Sequence, residues 1–278
     1  MTGPGTGPRR RGVWVALAIG TAVVVVLPAA LWVWGMAIRR TATATDTYRR
    51  PITDVEIDGG GARVTVGPGT ARPGTAQETR AAQETRVVSR LTWALSKPKV
   101  EKIWAGELLL IRFSCDGGRW VYRDLECGAN IDVQVPPEVR VRVQTGSGHV
   151  SVRGITGDLR LEAGSGAVDL ADVRGRIWAR SSSGQISGTG LTSPLVEADV
   201  GSGRLEFGFA SPPQRVKVSA GSGSVRVTVP RGSYYRVGIE AGWGAVRVDP
   251  ALNDRSSPRD IVAKTGSGQV SIGYPENG

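Results

Sequence analysis

Residues 141–153 read VRVQTGSGHVSVR, and residues 159–171 restate the phrase as LRLEAGSGAVDLA; 196–208, VEADVGSGRLEFG, and 216–228, VKVSAGSGSVRVT, do so again. Apolar residues two apart lead into Gly-Ser-Gly, and apolar residues two apart lead out of it. The triplet starts at Gly146, Gly164, Gly201, Gly221 and Gly266, with variants Ser182-Ser183-Gly184 and Gly242-Trp243-Gly244. Successive starts lie 18, 18, 19, 20, 21 and 24 residues apart. Five residues before each start stands Val141, Leu159, Ile177, Val196, Val216, Val237 or Ile261. Two residues further on comes Val143, Leu161, Ala179, Ala198, Val218, Ile239 or Ala263. Beyond the triplet the pairs are Val150 and Val152, Val168 and Leu170, Leu205 and Phe207, Val225 and Val227, Val246 and Val248, and Val270 and Ile272; Ile186 has only Gly188 as its second member. A period of two with polar residues between is the mark of a half-buried strand. Each unit therefore predicts strand, glycine corner, strand, and the length variation falls between units.

A unit of this size cannot bury its apolar side alone, so stacked copies must share one core. The fold class expected is an all-β repeat β-solenoid of about seven to eight rungs, about 4.8 Å apart. An antiparallel β-sandwich or meander of hairpins turning at the triplets is the alternative. An eighth copy is readable upstream in DVEIDGGGARVTV, where Val55, Gly60, Val64 and Val66 keep the offsets. Residues 52–277 form the predicted domain, with an irregular insert over 68–130. Inside that insert AQETR is written twice, and the stretch from Val87 to Cys115 predicts two or three more strands. Trp93, Trp104 and a cysteine pair are placed there as a cap on one end of the stack.

The rest of the composition follows from the repeat. Of 278 residues 39 are glycine, while there are three Phe, two Met, two Cys and one His. His149, Cys115 and Cys127 are too few for a His/Cys zinc site, and any Ser/His/Asp set must use His149. The net charge of +10 has a local source. Residues 13–38 are uncharged and apolar, flanked by Arg9, Arg10 and Arg11 on one side and Arg39 and Arg40 on the other. That is long enough to span a bilayer, with Trp14, Trp32 and Trp34 near its ends. Residues 1–12 become a short cytoplasmic tail, 13–38 a transmembrane helix and 39–51 a juxtamembrane linker. Cleavage near Ala42-Thr43-Ala44, as in a secretory signal, is the alternative. The flanking arginines carry half of the net charge, so the lipid bilayer, and no nucleic acid, is the partner they imply. Cys115 and Cys127 predict a local disulfide, which puts the carboxy-terminal domain outside the cytoplasm.

The run IDVQVPPEVRVRVQTGSGHVSVRGITGDLRLEAGSGAVDL from Ile131, with the later VTVPRGSYYRVGIEAGWGAVRV, resembles the "putative adhesin" domain family of bacterial envelope proteins. The resemblance covers roughly Ile52 to Ile272. It implies a β-solenoid behind one membrane helix, in a family of largely unknown function, some of whose members occur beside envelope-stress regulators. No residue-level active site comes with it.

Catalytic and cofactor readings are weak. The glycine triplets lack the Gly-Lys-Ser/Thr of a phosphate loop. Ser147, Ser165, Ser183, Ser202, Ser222 and Ser267 read as a stacked hydroxyl ladder, since only the first has His149 nearby. Residues after the corner are not carboxylates, which argues against a calcium roll. Asp54, Asp58, Asp116, Asp169, Asp172 and Asp199 share no register and read as surface charge. Trp178, Arg180 and Trp243 are the candidate ligand surface, through ring stacking on a sugar or a partner side chain. No catalytic residue, metal or cofactor is expected. The function expected is a non-enzymatic, single-pass cell-surface protein binding cell-wall glycan or an envelope protein, the alternative being a sensor that acts through a membrane partner.

Overall fold

The computed structural model describes residues 20–23, 25–26, 40–69, 84–94, 97–115 and 127–275. These are nearly all β, in one large mixed sheet that does not close on itself. The repeat units are β8 (Arg140–Thr145) with β9 (Val150–Arg153), then β10 (Leu159–Ala171), β11 (Ile177–Leu191), β12 (Leu195–Phe209), β13 (Arg215–Thr228), β14 (Arg236–Val248) and β15 (Asp260–Gly273). From β10 onward each strand runs unbroken through its glycine triplet, so one strand carries both arms of a unit.

Neighbouring units pair in parallel, and their register is the spacing of the sequence repeat. Leu159 faces Ile177, which faces Val196, then Val216, then Ile261. Val168, Ile186, Leu205, Val225 and Val270 line up in the same way on the second arm. The buried set changes parity at each corner: Leu159, Leu161 and Ala163 are inside on one arm, Val168 and Leu170 on the other. Both arms thus turn their apolar residues to one core. Among the described residues the two arms of a unit never pair with each other, so the hairpin alternative fails. On the outer face, arginine or lysine of one unit meets a carboxylate of the next, as in Lys217 to Glu197 (2.7 Å) and Arg180 to Asp199 (3.1 Å). Such exposed pairs are worth at most about 1 kcal/mol each and serve mainly to favour the register.

The predicted eighth copy is present. β2 (Asp54–Asp58) pairs with β8 and β3 (Arg63–Pro68) with β9, setting Val55 against Val141 and Val64 against Val150. A ninth unit lies in the insert, where β6 (Leu108–Ser114) pairs with β2 and β7 (Gly128–Val135) with β3. Cys115 and Cys127, between β6 and β7, are joined by a disulfide. Beyond this unit β5 (Lys99–Ala105) covers one arm, while β4 (Thr85–Trp93) and then β1 (Arg40–Tyr48) cover the other, all three antiparallel. Residues 39–51, read as a linker, therefore contain a strand, because RTATATDTY alternates β-branched threonine with alanine.

Stacking does not follow chain order at the far end. β15 sits between β13 and β14. Arg215 and Arg236 would face each other if β14 lay beside β13, and so would Arg226 and Arg247; β15 places Asp260 between the first two and Ser271 between the second two. Like charges directly opposite are unfavourable, and one carboxylate between two guanidinium groups is not. The span predicted over 13–38 lies outside the described residues, apart from 20–23 and 25–26, which are helical. Among the described residues no helix is long and apolar enough to cross a membrane.

Candidate functional site

The second glycine of each triplet is set by its neighbour's backbone. Gly203 has φ +137°, and a Cβ there would lie 1.8 Å from the carbonyl oxygen of Gly184 in the adjacent row. Only glycine permits both that conformation and that approach. Repeated through successive rows, this leaves a strip of bare backbone along the corner. The strip is the floor of an open groove of about 960 Å³ that crosses β10, β11, β12, β13 and β15. Ser165 and Ser183 line one side, and Ala167, Gln185, Arg204, Ser224 and Gln269 line the other. Five rows span roughly 19 Å at ~4.8 Å each. The groove is therefore long and shallow, with a mostly apolar surface and the polar side chains of Gln185, Arg204 and Gln269 along one wall, suited to an extended chain lying across the strands.

Arg204 supplies its positive charge. Most outward arginines of the stack are held by a carboxylate of a neighbouring row, as Arg226 is by Glu206 at 3.5 Å, but among the described residues Arg204 has no ion pair. The corner serines stack as expected, with Ser267 Oγ 3.3 Å from Ser222 Oγ.

The three residues proposed as a ligand surface do not form one site. Trp243 occupies the serine position of the β14 corner, opposite Ser267, and is 86% exposed at the open end of the groove. Trp178 lies on the outer face of the first arm of β11, half-buried, with the Arg160 guanidinium 3.9 Å from its ring centre. Its cation partner is supplied by the next row, so its stacking face is already used. Arg180 is on the same arm, paired with Asp199. The groove itself was missed in the sequence, although its signal was there: residues 185, 204 and 269 follow the triplets as Gln, Arg and Gln.

His149 is drawn into a polar cluster. Its Nε2 lies 3.0 Å from Asp169, whose other oxygen accepts from the Ser187 hydroxyl. The order is serine, carboxylate, imidazole, so the hydroxyl has no base and a Ser/His/Asp triad is not assembled. The remaining candidate carboxylates are engaged across rows: Asp54 with Arg140 at 2.9 Å, Asp58 with Arg112 at 3.9 Å, Asp199 with Arg180. Asp172 stands alone in the left-handed region at φ 54°, and Asp116 is outside the described residues. Among the described residues no group of three His, Cys, Asp or Glu side chains is placed to hold a metal.

No family model matches the chain, and no curated protein matches it. Solved structures do. A putative adhesin from Bacteroides fragilis is 12% identical with a TM-score of 0.49, covering 83% of this chain and 97% of its own. A putative cell adhesion protein from Clostridium sporogenes is 12% identical with a TM-score of 0.36, covering 85% of this chain and 100% of its own. A putative lipid binding protein from Parabacteroides distasonis is 10% identical with a TM-score of 0.34, covering 84% and 97%. Two of these three are named as an adhesin or a cell adhesion protein, as is the family that the sequence resembles.

Proposed function

We propose that this chain is a non-enzymatic, membrane-anchored β-solenoid that binds an extended anionic glycan of the cell envelope along the Gly-Ser-Gly groove. The observation that carries the reading is the groove's lining. Glycine backbone makes a floor without side chains, Gln185 and Gln269 offer amide donors and acceptors, and Arg204 is a cation with no ion pair among the described residues. A polymer with repeating hydroxyl and carboxylate groups matches that lining across several rows, and an added unit finds a similar row each time. The uncharged apolar stretch over residues 13–38 and the disulfide support placement at the cell surface, since disulfides persist in oxidising compartments. Structural use of the carboxylates across rows supports a binding role over a hydrolytic one.

The test is cosedimentation of the detergent-solubilised full chain with isolated cell-wall glycan. Arg204→Ala with Gln185→Ala is expected to weaken binding about tenfold or more, in line with losing one charged and one neutral hydrogen-bonding group. Arg226→Ala, already paired with Glu206, is the matched control and should bind as the parent does. Equal binding by the groove variant and the parent would reject the groove, and release of soluble fragments from the glycan would reject the non-enzymatic reading.

A further inference from the structure

The last row of the stack is open. Among the described residues β14 pairs with β15 on one side only, and its residues are exposed where their register mates are buried: Val246 is 49% exposed, against 1% for Val225 and 0% for Val270. Trp243 beside it is 86% exposed. A long parallel edge with apolar residues is a template for another strand. The geometry points to a second copy of this chain as its occupant, paired antiparallel through the β14 corner about a two-fold axis.

The backbone decides the register. The Arg236 N–H donates to Arg259 O at 2.8 Å and the Asp249 N–H to Ile272 O at 3.0 Å, both on the β15 side. Successive residues of a strand send their polar groups to opposite edges. Ile239 and Ala241 on the first arm, and Val246 on the second, therefore offer N–H and C=O to the open side. The corner has shifted the parity between the two arms. A two-fold axis between Gly242 and Trp243 sets Ile239 opposite Val246 of the second copy, and Ala241 opposite Gly244. In each pair both residues have free backbone groups, and Ile239 and Val246 both turn their side chains to the core side. A slip of one residue loses both matches. This axis also continues the core of one copy into the core of the other.

Charge permits that register: Arg247, which has no ion pair among the described residues, lies opposite Gly238 of the second copy, with Glu240, held by Lys264 at 2.7 Å, on one diagonal and Arg236, held by Asp260, on the other. Such diagonal positions are within reach of long side chains. The ladder is bounded, because Tyr235 is bridged to Asn253 and the Val237 N–H reaches Asn253 Oδ1 at 3.4 Å. Head-to-tail stacking lacks a matching surface, since antiparallel strands close the other end. The contact is therefore closed at two copies. It also brings both Trp243 residues to the junction of two corner grooves; this last consequence rests on the groove reading, whereas the pairing does not.

Sedimentation and cross-linking of the detergent-solubilised full chain test it. The parent should be a dimer at micromolar concentration, and Val246→Asp, which puts a charge into the joined core, should weaken dimerisation at least tenfold. Ile239→Cys with Val246→Cys should give a covalent dimer under mild oxidant. A hydrogen-bonded antiparallel pair is about 5.5 Å apart, inside the disulfide range of about 4.4–6.8 Å, and the native cysteines are already bonded to each other. Each single cysteine variant should stay uncoupled, because neither residue faces itself. A monomeric parent would overturn the proposal. So would a dimer insensitive to Val246→Asp whose double-cysteine form does not cross-link, which would place the association in another part of the chain.

Discussion

The two ends of this stack are finished differently. At one end the β6–β7 row is covered on both arms by antiparallel strands, and the one on the β6 arm, β5, reads KVEKIWA with charged residues between apolar ones. There Tyr48 and Trp104 pack edge to face at 5.1 Å, with Arg50 5.7 Å over the Trp104 ring. Charged side chains on an edge strand make it unattractive to other strands. At the other end β14 is left as one more parallel row, and nothing among the described residues lies on it beyond Asn253 at its start. The same repeat thus ends once in a cap and once in an open row. Ala62 and Gly268 show how local the difference is. Both occupy the second glycine position of a corner, where Gly268 must be glycine because its Cβ would lie 1.7 Å from Gly223 O at φ +139°. Ala62 carries its Cβ and is fully buried.

The largest expected effect breaks that pair apart. Gly268→Ala forces a side chain into a neighbouring carbonyl and an L-residue into a glycine-only conformation. It should cost roughly 3 kcal/mol or more and detach β15 and β14 from β13. Ala62→Gly, at the corresponding place near the capped end, should cost only about 1 kcal/mol, the loss of one buried methyl. Urea unfolding of both variants against the parent measures the difference, and equal losses would mean that the corner does not depend on the carbonyl of the adjacent row.

Next in size is the capped end itself. Cys115→Ser with Cys127→Ser opens a loop closed between residues twelve apart in sequence and should lower stability by about 2–4 kcal/mol. Hydrogen exchange should rise in β6 and β7 and stay unchanged in β14. Faster exchange at both ends together would show that the stack melts as one cooperative unit.

Much of this was legible in the sequence, and the reason is physical. A period of two, interrupted by glycine at fixed offsets, specifies which residues share a register, and Leu159, Ile177, Val196, Val216 and Ile261 do share one. What the pattern does not contain is the order of the rows. Every row has the same apolar offsets, so any two can pair, and the choice passes to the outward charges. Arg215 and Arg236, with Arg226 and Arg247, argue against adjacency of β13 and β14, and Asp260 argues for β15 between them; that reading needed the register first. The ninth row was hidden for a related reason: the sequence between its two arms, residues 116–126, carries no Gly-Ser-Gly triplet to mark it. The groove was legible only in part, since Gln185, Arg204 and Gln269 become one wall when rows 19, 20 and 45 residues apart are aligned.

Asp260 gives the smallest and most local test of the open end. Burial pushes its carboxyl up, but hydrogen bonds and charge from Arg236 on β14 and Arg215 on β13 outweigh this and hold it below the usual carboxylate range. A carboxyl whose folded value is depressed contributes stability above its unfolded value of about 3.9, and that contribution is lost as pH falls through the folded value. From pH 7 to 5 the Arg215–Asp260–Arg236 bridge should therefore stay intact, and below about pH 4 β14 should lose protection before β13 does. Asp260→Asn should show the loosened β14 already at pH 7, with a flatter dependence on acid. Asp254, lowered by its hydrogen bonds from Ser256, titrates in the same direction and remains in the variant, so a residual slope near the Asn253 end of β14 is expected. Protection factors for β14 that are the same in Asp260→Asn and the parent, at both pH 7 and pH 3.5, would show that the charge sandwich does not hold the last row in place.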